Sequence, residues 1–222
     1  EDPSLVNRIL QLNHFLFVEQ AYSGNTRRYY DPRNSFLNQV MDRKLGIPIT
    51  LSLLYIELAR RLDVPVAGLA FPGHFLVRVS LNQGDLIVDP FAGGHLRSRE
   101  DLEEQLAQTL EVRPHPLLSF EQALVPASHR EILRRVLHNL KAIYWQQKAW
   151  DKALHVAQYL LALTPEVAGE MRDIGLIYLE LKCPQAAKRW LQRYLEADTQ
   201  AEDNAWVLTQ LEALTQPHYR LH

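Results

Sequence analysis

The stretch from Leu45 to Leu62 constrains the fold more than any other part of the chain. Proline suits the first turn of a helix, because the N–H that it lacks would have no partner there. Gly46-Ile47-Pro48 therefore predicts a helix that begins at about Pro48. Apolar residues recur along it at helical spacing, at Leu51, Leu54, Tyr55, Leu58 and Leu62, with Leu53 and Ile56 beside them. A helix that is apolar over so much of its surface is expected at the centre of a domain.

Strand spacing follows this helix. Residues 66–71 form a short apolar run, and Phe75, Val77 and Val79 recur at every second position. A turn signal at 82–85 precedes an apolar return at 86–88. Residues 66–89 therefore predict an antiparallel meander packed on the central helix, which gives an α+β domain. Gly93-Gly94 is expected to end this segment.

Two helices are predicted before the central one. Apolar residues at helical spacing predict a helix over about 3–22 that packs by one face. Asn34 or Ser35 is expected to cap a shorter helix that ends at about Arg43. The residues of this shorter helix that are expected to face inward are Phe36, Leu37, Val40 and Met41.

The chain after Ser128 is helical by pattern and repeats itself. Three pairs of similar residues are 34 positions apart: Leu140 and Ile174, Tyr144 and Tyr178, and Ala153 and Ala187. A helix–turn–helix period of this length, with aromatic and small residues at these positions, is typical of tetratricopeptide repeats. Two units are predicted, at about 134–167 and 168–201, followed by a capping helix at about 202–214. Because two prolines interrupt 113–116, we expect an α+β domain over 1–125 and an all-α repeat domain over 126–222.

Composition and charge limit the possible functions. With 222 residues, 47% of them hydrophobic, the chain can form proper cores, and its net charge of −2 gives no support for nucleic-acid binding. The only cysteine, Cys183, cannot form an internal disulfide, so a cytoplasmic location is expected. No apolar run approaches the ~18 residues of a membrane span, the histidines are scattered, and no phosphate-binding glycine loop is present. We therefore expect no membrane or nucleic-acid partner, no metal and no cofactor.

His74 and Asp89 are the best candidates for a functional site. His74 precedes one predicted strand and Asp89 ends the next, so adjacent antiparallel strands can bring them together. A carboxylate bonded to an imidazole fixes its tautomer and raises its basicity. On the pattern alone, the preferred interpretation is that His74 has a structural role and that Asp89 caps the turn at Pro90.

Four motifs together resemble a bacterial family. They are Asn34-Ser35-Phe36-Leu37, Gly46-Ile47-Pro48-Ile49-Thr50-Leu51-Ser52, Phe71-Pro72-Gly73-His74-Phe75-Leu76-Val77-Arg78 and Asp89-Pro90-Phe91-Ala92-Gly93-Gly94. With the 34-residue repeat, they resemble a family that joins a transglutaminase-like domain to tetratricopeptide repeats, and some of its members are described as invasion-gene regulators. The resemblance implies a papain-like core, in which a Cys at the start of the central helix acts with a His and an Asp on following strands. His74 and Asp89 match those His and Asp positions.

The Cys position of the superfamily does not match, because it falls at about Pro48. Proline has no nucleophilic atom, whereas a thiolate is the attacking group in this chemistry. The first hypothesis is therefore a non-catalytic domain, vestigial or rewired at His74 and Asp89. It would bind a protein or peptide, or act as a regulatory module, with the repeats supplying or shaping a groove. The residues expected to line a remaining cleft are Asn34, Pro48, Tyr55, Phe71 and Gly73.

Thr50 and Ser52 offer an alternative. Thr50 lies in the first turn of the central helix, where the helix dipole favours an anion, and His74 could act as the base for a hydroxyl. The alternative hypothesis is a hydrolase or acyl-transferase that uses Thr50 or Ser52 with His74 and Asp89. Thr50 and Ser52 could equally be small polar residues packed near a helix start.

Overall fold

The computed structural model describes residues 3–112 and 119–215, and its first part is built around the predicted central helix. The elements of this part are α1 Pro3–Asn13, β1 Ser23–Gly24, α2 Leu37–Arg43, β2 Leu45–Gly46, α3 Pro48–Arg61, β3 Val66–Leu69, β4 Leu76–Leu81, β5 Gly84–Asp89, β6 His95–Arg97, α4 Arg99–Val112 and α5 Phe120–Ala123. Five helices follow: α6 His129–Gln146, α7 Trp150–Leu163, α8 Gly169–Glu180, α9 Pro184–Ala197 and α10 Asn204–Thr215. Within the described ranges, no helix is both long and apolar enough to cross a membrane.

α3 begins at Pro48, as the sequence predicts. Tyr55 and Ala59 on its buried face belong to one hydrophobic cluster with Val77 and Val88 of the sheet. Both helical side chains are fully buried. The central position predicted for this helix is therefore confirmed, and the predicted α+β class with it.

The strands β3, β4, β5 and β6 form one antiparallel sheet in sequence order. The meander predicted over 66–89 is confirmed, but a fourth strand extends it, and Asp89 on β5 pairs with His95 on β6. Gly93 and Gly94 have φ values of +73° and +80°, a conformation that glycine adopts without steric cost. They turn the chain back toward the sheet instead of ending the segment.

The helix predicted from Asn34 or Ser35 onward is in fact two elements, a 3₁₀ turn at Pro32–Ser35 and α2. The side chain that caps the turn is Asp31, which accepts the Arg33 N–H at 3.0 Å. Of the residues predicted to face inward, only Val40 is fully buried. Phe36 is 41% exposed, Leu37 43% and Met41 50%. The prediction was wrong for these three, because a helix of seven residues presents only a narrow stripe to the core.

The helix expected over 3–22 is also divided. Its α-helical part ends at Asn13, and a π-helical segment continues over His14–Glu19. Leu12 and Leu16 remain buried across this change, so the predicted inward stripe is kept.

The predicted repeats are present as two helix pairs. α6 with α7 and α8 with α9 form the pairs, and α10 follows them. Ala153 and Ala187 are fully buried. At Gly175 an added Cβ would lie 2.6 Å from the Leu191 side chain, so the helices approach too closely there for a larger residue. Small residues at the repeated positions thus permit close helix packing, as the pattern indicates.

The chain divides into two compact units, Glu1–Val136 and Leu137–His222. The first unit ends later than the domain boundary expected after residue 125. The reason is that Ile132 and Val136, in the first turns of α6, pack against Ile47, Ile49 and Phe75. The proline-containing segment expected to separate the domains, at 113–116, lies outside the described residues.

Candidate functional site

The central feature of the first unit is a hydrogen bond between His74 and Asp89. His74 lies in the turn before β4, Asp89 is the last residue of β5, and His74 Nε2 is 2.8 Å from Asp89 Oδ2. The histidine side chain is 13% exposed and the aspartate side chain 3%. An ionised carboxylate only accepts hydrogen bonds, so Nε2 carries the proton and donates it. In the neutral ring, the lone pair is then on Nδ1.

Asp89 is held by more than this histidine. Its Oδ1 accepts the N–H groups of Phe91 and Ala92, both at 3.1 Å, and so caps the 3₁₀ turn Pro90–Ala92. Its Oδ2 also accepts Arg97 Nη1 at 3.3 Å. The pairing role and the capping role considered for Asp89 are therefore both present, one on each carboxylate oxygen.

These contacts set the charge state of Asp89. Burial alone would raise the pKa of its carboxyl, but the hydrogen bond and charge of His74 act in the opposite direction. The Ala92 N–H and the Arg97 guanidinium act in the same direction as His74, so the pKa of Asp89 lies below its usual value. The site therefore holds a fixed negative charge beside a partly accessible imidazole.

The helix next to this pair begins with a proline. Pro48 is the first residue of α3 and is buried. Ile47 and Ile49, on either side of it, pack against Phe75, which follows His74 in the chain. The start of α3 and the His74 turn are thus neighbours, and the first residue of the helix there is a proline.

Thr50 and Ser52 have their hydroxyl groups occupied elsewhere. Thr50 Oγ1 donates to the carbonyl oxygen of Asn34 at 2.8 Å and accepts the Ile47 N–H at 3.1 Å. Ser52 Oγ donates to the carbonyl oxygen of Phe75 at 3.2 Å. Both side chains are fully buried. This geometry disfavours the alternative in which either hydroxyl is a nucleophile activated by histidine, because each donates its proton to the backbone.

Of the five residues predicted to line a cleft, only Gly73 is exposed. The other four are buried, and Asn34, Tyr55 and Phe71 have no exposed surface. The cleft prediction is corrected for Asn34, Tyr55 and Phe71, because a side chain without exposed surface cannot contact a ligand, and Pro48 is buried as well. These four residues support the site from beneath.

A row of aromatic rings leads from the surface to His74. The Tyr29 ring packs edge-on against Phe91 with centroids 6.1 Å apart, and Phe91 packs edge-on against His74 at 6.0 Å. Asn34 fixes the backbone beneath this row, because its Nδ2 donates to the carbonyl oxygens of Arg28 and Tyr29 at 2.8 and 3.1 Å. The buried asparagine therefore positions a surface segment beside the histidine.

Sequence analysis did not identify Arg97, which also donates to Gln105 Oε1 at 3.1 Å. A signal for it was available in Gly93-Gly94, which is a turn signal as well as a segment end. Reading that dipeptide as a turn would have predicted a strand that returns beside Asp89, with a cation at its end. Tyr29 and Phe91 carry no comparable signal, because their proximity depends on the tertiary fold.

Comparison with known proteins agrees with this architecture. A sequence model of the transglutaminase-like superfamily matches residues 1–138, and a tetratricopeptide-repeat model matches residues 140–212. A UPF0162 protein of Xylella fastidiosa is 44% identical over 189 residues, which cover 85% of this chain and 67% of that protein. Protein SirB1 of Salmonella typhimurium is 28% identical over 84% of this chain and 68% of its own length. The UPF0162 protein YchA of Escherichia coli is also 28% identical, over 84% of this chain and 68% of its own length.

Proposed function

The chain belongs to the transglutaminase-like superfamily, and we propose that it is a non-catalytic member that binds a protein or peptide, or acts as a regulatory module. The observation that carries this proposal is Pro48, a buried residue at the start of α3 where the superfamily's chemistry requires a thiol. The histidine and aspartate partners remain hydrogen-bonded, but they have no nucleophile to activate. Tetratricopeptide repeats generally mediate protein–protein interactions, so a binding role fits both parts of the chain.

The persistence of the His74–Asp89 pair is compatible with a non-catalytic role. Asp89 caps the 3₁₀ turn through its other oxygen and accepts from Arg97 as well. A buried carboxylate with four donors contributes to stability whether or not the protein is an enzyme. The pair would therefore be retained for folding after the nucleophile had been lost.

A test for catalysis needs probes of both nucleophile types. We expect the full chain to show no labelling by a serine-directed fluorophosphonate and no transfer of a fluorescent amine to a glutamine-containing peptide. His74→Ala provides the matched control for a histidine-dependent hydroxyl, and Cys183→Ser removes the only thiol in the sequence. Labelling or turnover that is present in the wild type and lost in His74→Ala would refute the non-catalytic proposal.

A second test asks whether Pro48 occupies the former nucleophile position. In a Cys183→Ser background, Pro48→Cys introduces a single thiol at the start of α3. Because an adjacent imidazole and a helix N-terminus both lower a thiol pKa, we expect faster alkylation by iodoacetamide with His74 present than with His74→Ala. Equal alkylation rates in the two backgrounds would mean that Pro48 is not the position that His74 once served.

A further inference from the structure

Three arginines and a tyrosine lie beside the His74 site, and the non-catalytic proposal does not explain them. We call Arg27, Arg28, Tyr29 and Arg135 the basic ledge. The first three follow one another in the exposed loop after β1, and Arg135 lies in the second turn of α6. Through Tyr29 and Phe91, the ledge continues into the aromatic row that ends at His74.

Arg135 is brought to the ledge by the packing of α6. Arg135 is three residues after Ile132, and Val136 is four residues after Ile132. Residues at these spacings lie on the same side of a helix, so Arg135 is next to the two apolar side chains. Ile132 and Val136 pack on the hydrophobic cluster that contains Phe75, and Phe75 follows His74 in the chain. Burial raises the pKa of the Tyr29 hydroxyl, and the positive charge of Arg135 lowers it. Because such a charge effect acts over a short distance, the guanidinium of Arg135 lies near the Tyr29 side chain.

The cations of the ledge are not neutralised within the part of the chain that the structure describes. There, no ion pair joins Arg27, Arg28 or Arg135 to a carboxylate, whereas Arg33 pairs with Asp31 at 2.7 Å and Arg97 with Asp89 at 3.3 Å. Arg135 is moreover half-buried, and its burial lowers the pKa of the guanidinium. A partly desolvated cation without a counter-charge is unfavourable, and a ligand carboxylate would relieve that cost.

We propose that the basic ledge binds an acidic peptide segment of a protein partner. A carboxylate of that segment would pair with Arg135, and a neighbouring apolar or aromatic side chain would pack on Tyr29 and Phe91, with the segment running toward His74. This inference rests on the proposed binding function and specifies the chemistry of the partner. A carboxylate suits a guanidinium because the two can form parallel hydrogen bonds. Nucleic acid is the less suitable anion, because its binding depends on contacts to many phosphates, whereas the ledge carries three arginines.

The experiment uses the full chain and a displayed library of random peptides. Peptides recovered by the wild type are sequenced, and the most enriched one is made with a fluorescent label, together with a counterpart in which Asp and Glu are replaced by Asn and Gln. Binding is measured by fluorescence anisotropy for the wild type, Arg135→Gln and Arg134→Gln. The neighbour Arg134 is a matched control, since it is exposed and lies on a different face of α6.

We expect enrichment of Asp or Glu next to an apolar residue, and weaker binding of the neutral counterpart. Arg135→Gln should weaken binding of the acidic peptide by about tenfold or more, as the loss of a charge-assisted hydrogen bond implies. Arg134→Gln should leave it within about twofold. Circular dichroism verifies that both variants are folded.

Three outcomes would overturn the proposal. They are a recovered set without acidic enrichment, equal effects of the two arginine substitutions, and a single-stranded oligonucleotide that binds the ledge more tightly than the acidic peptide. Failure of the broader proposal looks different, because it consists of His74-dependent turnover or labelling, which the peptide measurements do not detect. The two failures can therefore be distinguished.

Discussion

Replacing Asp89 is the most informative perturbation, because this residue joins the candidate site to the fold. Its carboxylate accepts four hydrogen bonds and its side chain is 3% exposed. Asp89→Ala removes all four acceptor contacts. Asp89→Asn keeps one oxygen to accept the Phe91 and Ala92 N–H groups but loses the negative charge. The two variants therefore separate the capping role from the charge role.

The expected magnitudes follow from the burial of these contacts. Removing one partner of a buried, hydrogen-bonded charge costs about 3–5 kcal/mol, because the remaining groups stay buried without a partner. We expect Asp89→Ala to lower the free energy of unfolding by that amount. Asp89→Asn should cost about 1–3 kcal/mol. The cap survives on the amide oxygen, but the amide nitrogen cannot accept from Arg97 and can donate to His74 Nε2 only if the ring changes its tautomer.

The pH dependence has a definite sign. The pKa of Asp89 is lowered in the folded state, so the unfolded chain binds more protons in acid. The stabilisation from Asp89 is complete above the unfolded-state pKa of about 3.9, and it is lost as the pH falls through the lower folded-state value. Asp89→Asn should therefore flatten the acid limb of the stability curve.

Amide hydrogen exchange is the appropriate assay, because it resolves the capped turn. All four tryptophans lie between residues 145 and 206, so their fluorescence reports on the second unit and not on this site. In Asp89→Ala the Phe91 and Ala92 amides should lose their protection, whereas in Asp89→Asn they should largely keep it. Urea unfolding followed by circular dichroism gives the free energies. If Asp89→Ala cost less than about 1 kcal/mol, or if both variants lost protection equally, the reasoning would be wrong.

Three further substitutions test other parts of the structure. Tyr55→Phe should leave the free energy of unfolding unchanged or raise it by about 1 kcal/mol, since the Tyr55 hydroxyl is buried with no hydrogen-bond partner among the described residues; a clear loss in urea unfolding would reveal a partner. Lys141→Met should cost about 3 kcal/mol, because it leaves the buried carboxylate of Glu170, 2.6 Å from the ammonium, uncompensated; adding Glu170→Gln should recover part of this loss, as tryptophan fluorescence in urea can measure. Gly24→Ala should cost about 1–3 kcal/mol, because its Cβ would lie 2.6 Å from the Phe91 ring; an unchanged melting temperature would contradict the crowding.

The sequence predicted the helices and strands best where many residues carry the same signal. The apolar stripe of α3, the alternation in β4 and the 34-residue period each involve several positions, so one misleading residue does not alter the prediction. Predictions that depended on one or two residues fared worse. The cap expected at Asn34 or Ser35 is at Asp31, and the turn at Gly93-Gly94 was taken for the end of the segment.

The candidate site was only partly predictable for a related reason. His74 and Asp89 could be paired from their places at the ends of adjacent strands. The exposure of a side chain depends on the whole fold, so a sequence pattern does not show whether a residue lines a surface or lies beneath it. Of the five residues expected to line a cleft, four are buried. Arg135 illustrates the same limit, because the start of α6 is placed by packing contacts with Ile47, Ile49 and Phe75, which are distant in sequence.

The proposed non-catalytic function implies that the fold and the chemistry of this family depend on very different numbers of residues. The architecture depends on dozens of positions, and a proline at the start of α3 satisfies it, because the first helical turn tolerates the missing N–H. Acyl transfer depends on a single atom at that same position. The His74–Asp89 pair is compatible with either function, because Asp89 also caps a turn and binds Arg97, and these contacts stabilise the fold. In a chain like this one, the informative residue for function is therefore the one that departs from the family pattern, and not those that agree with it.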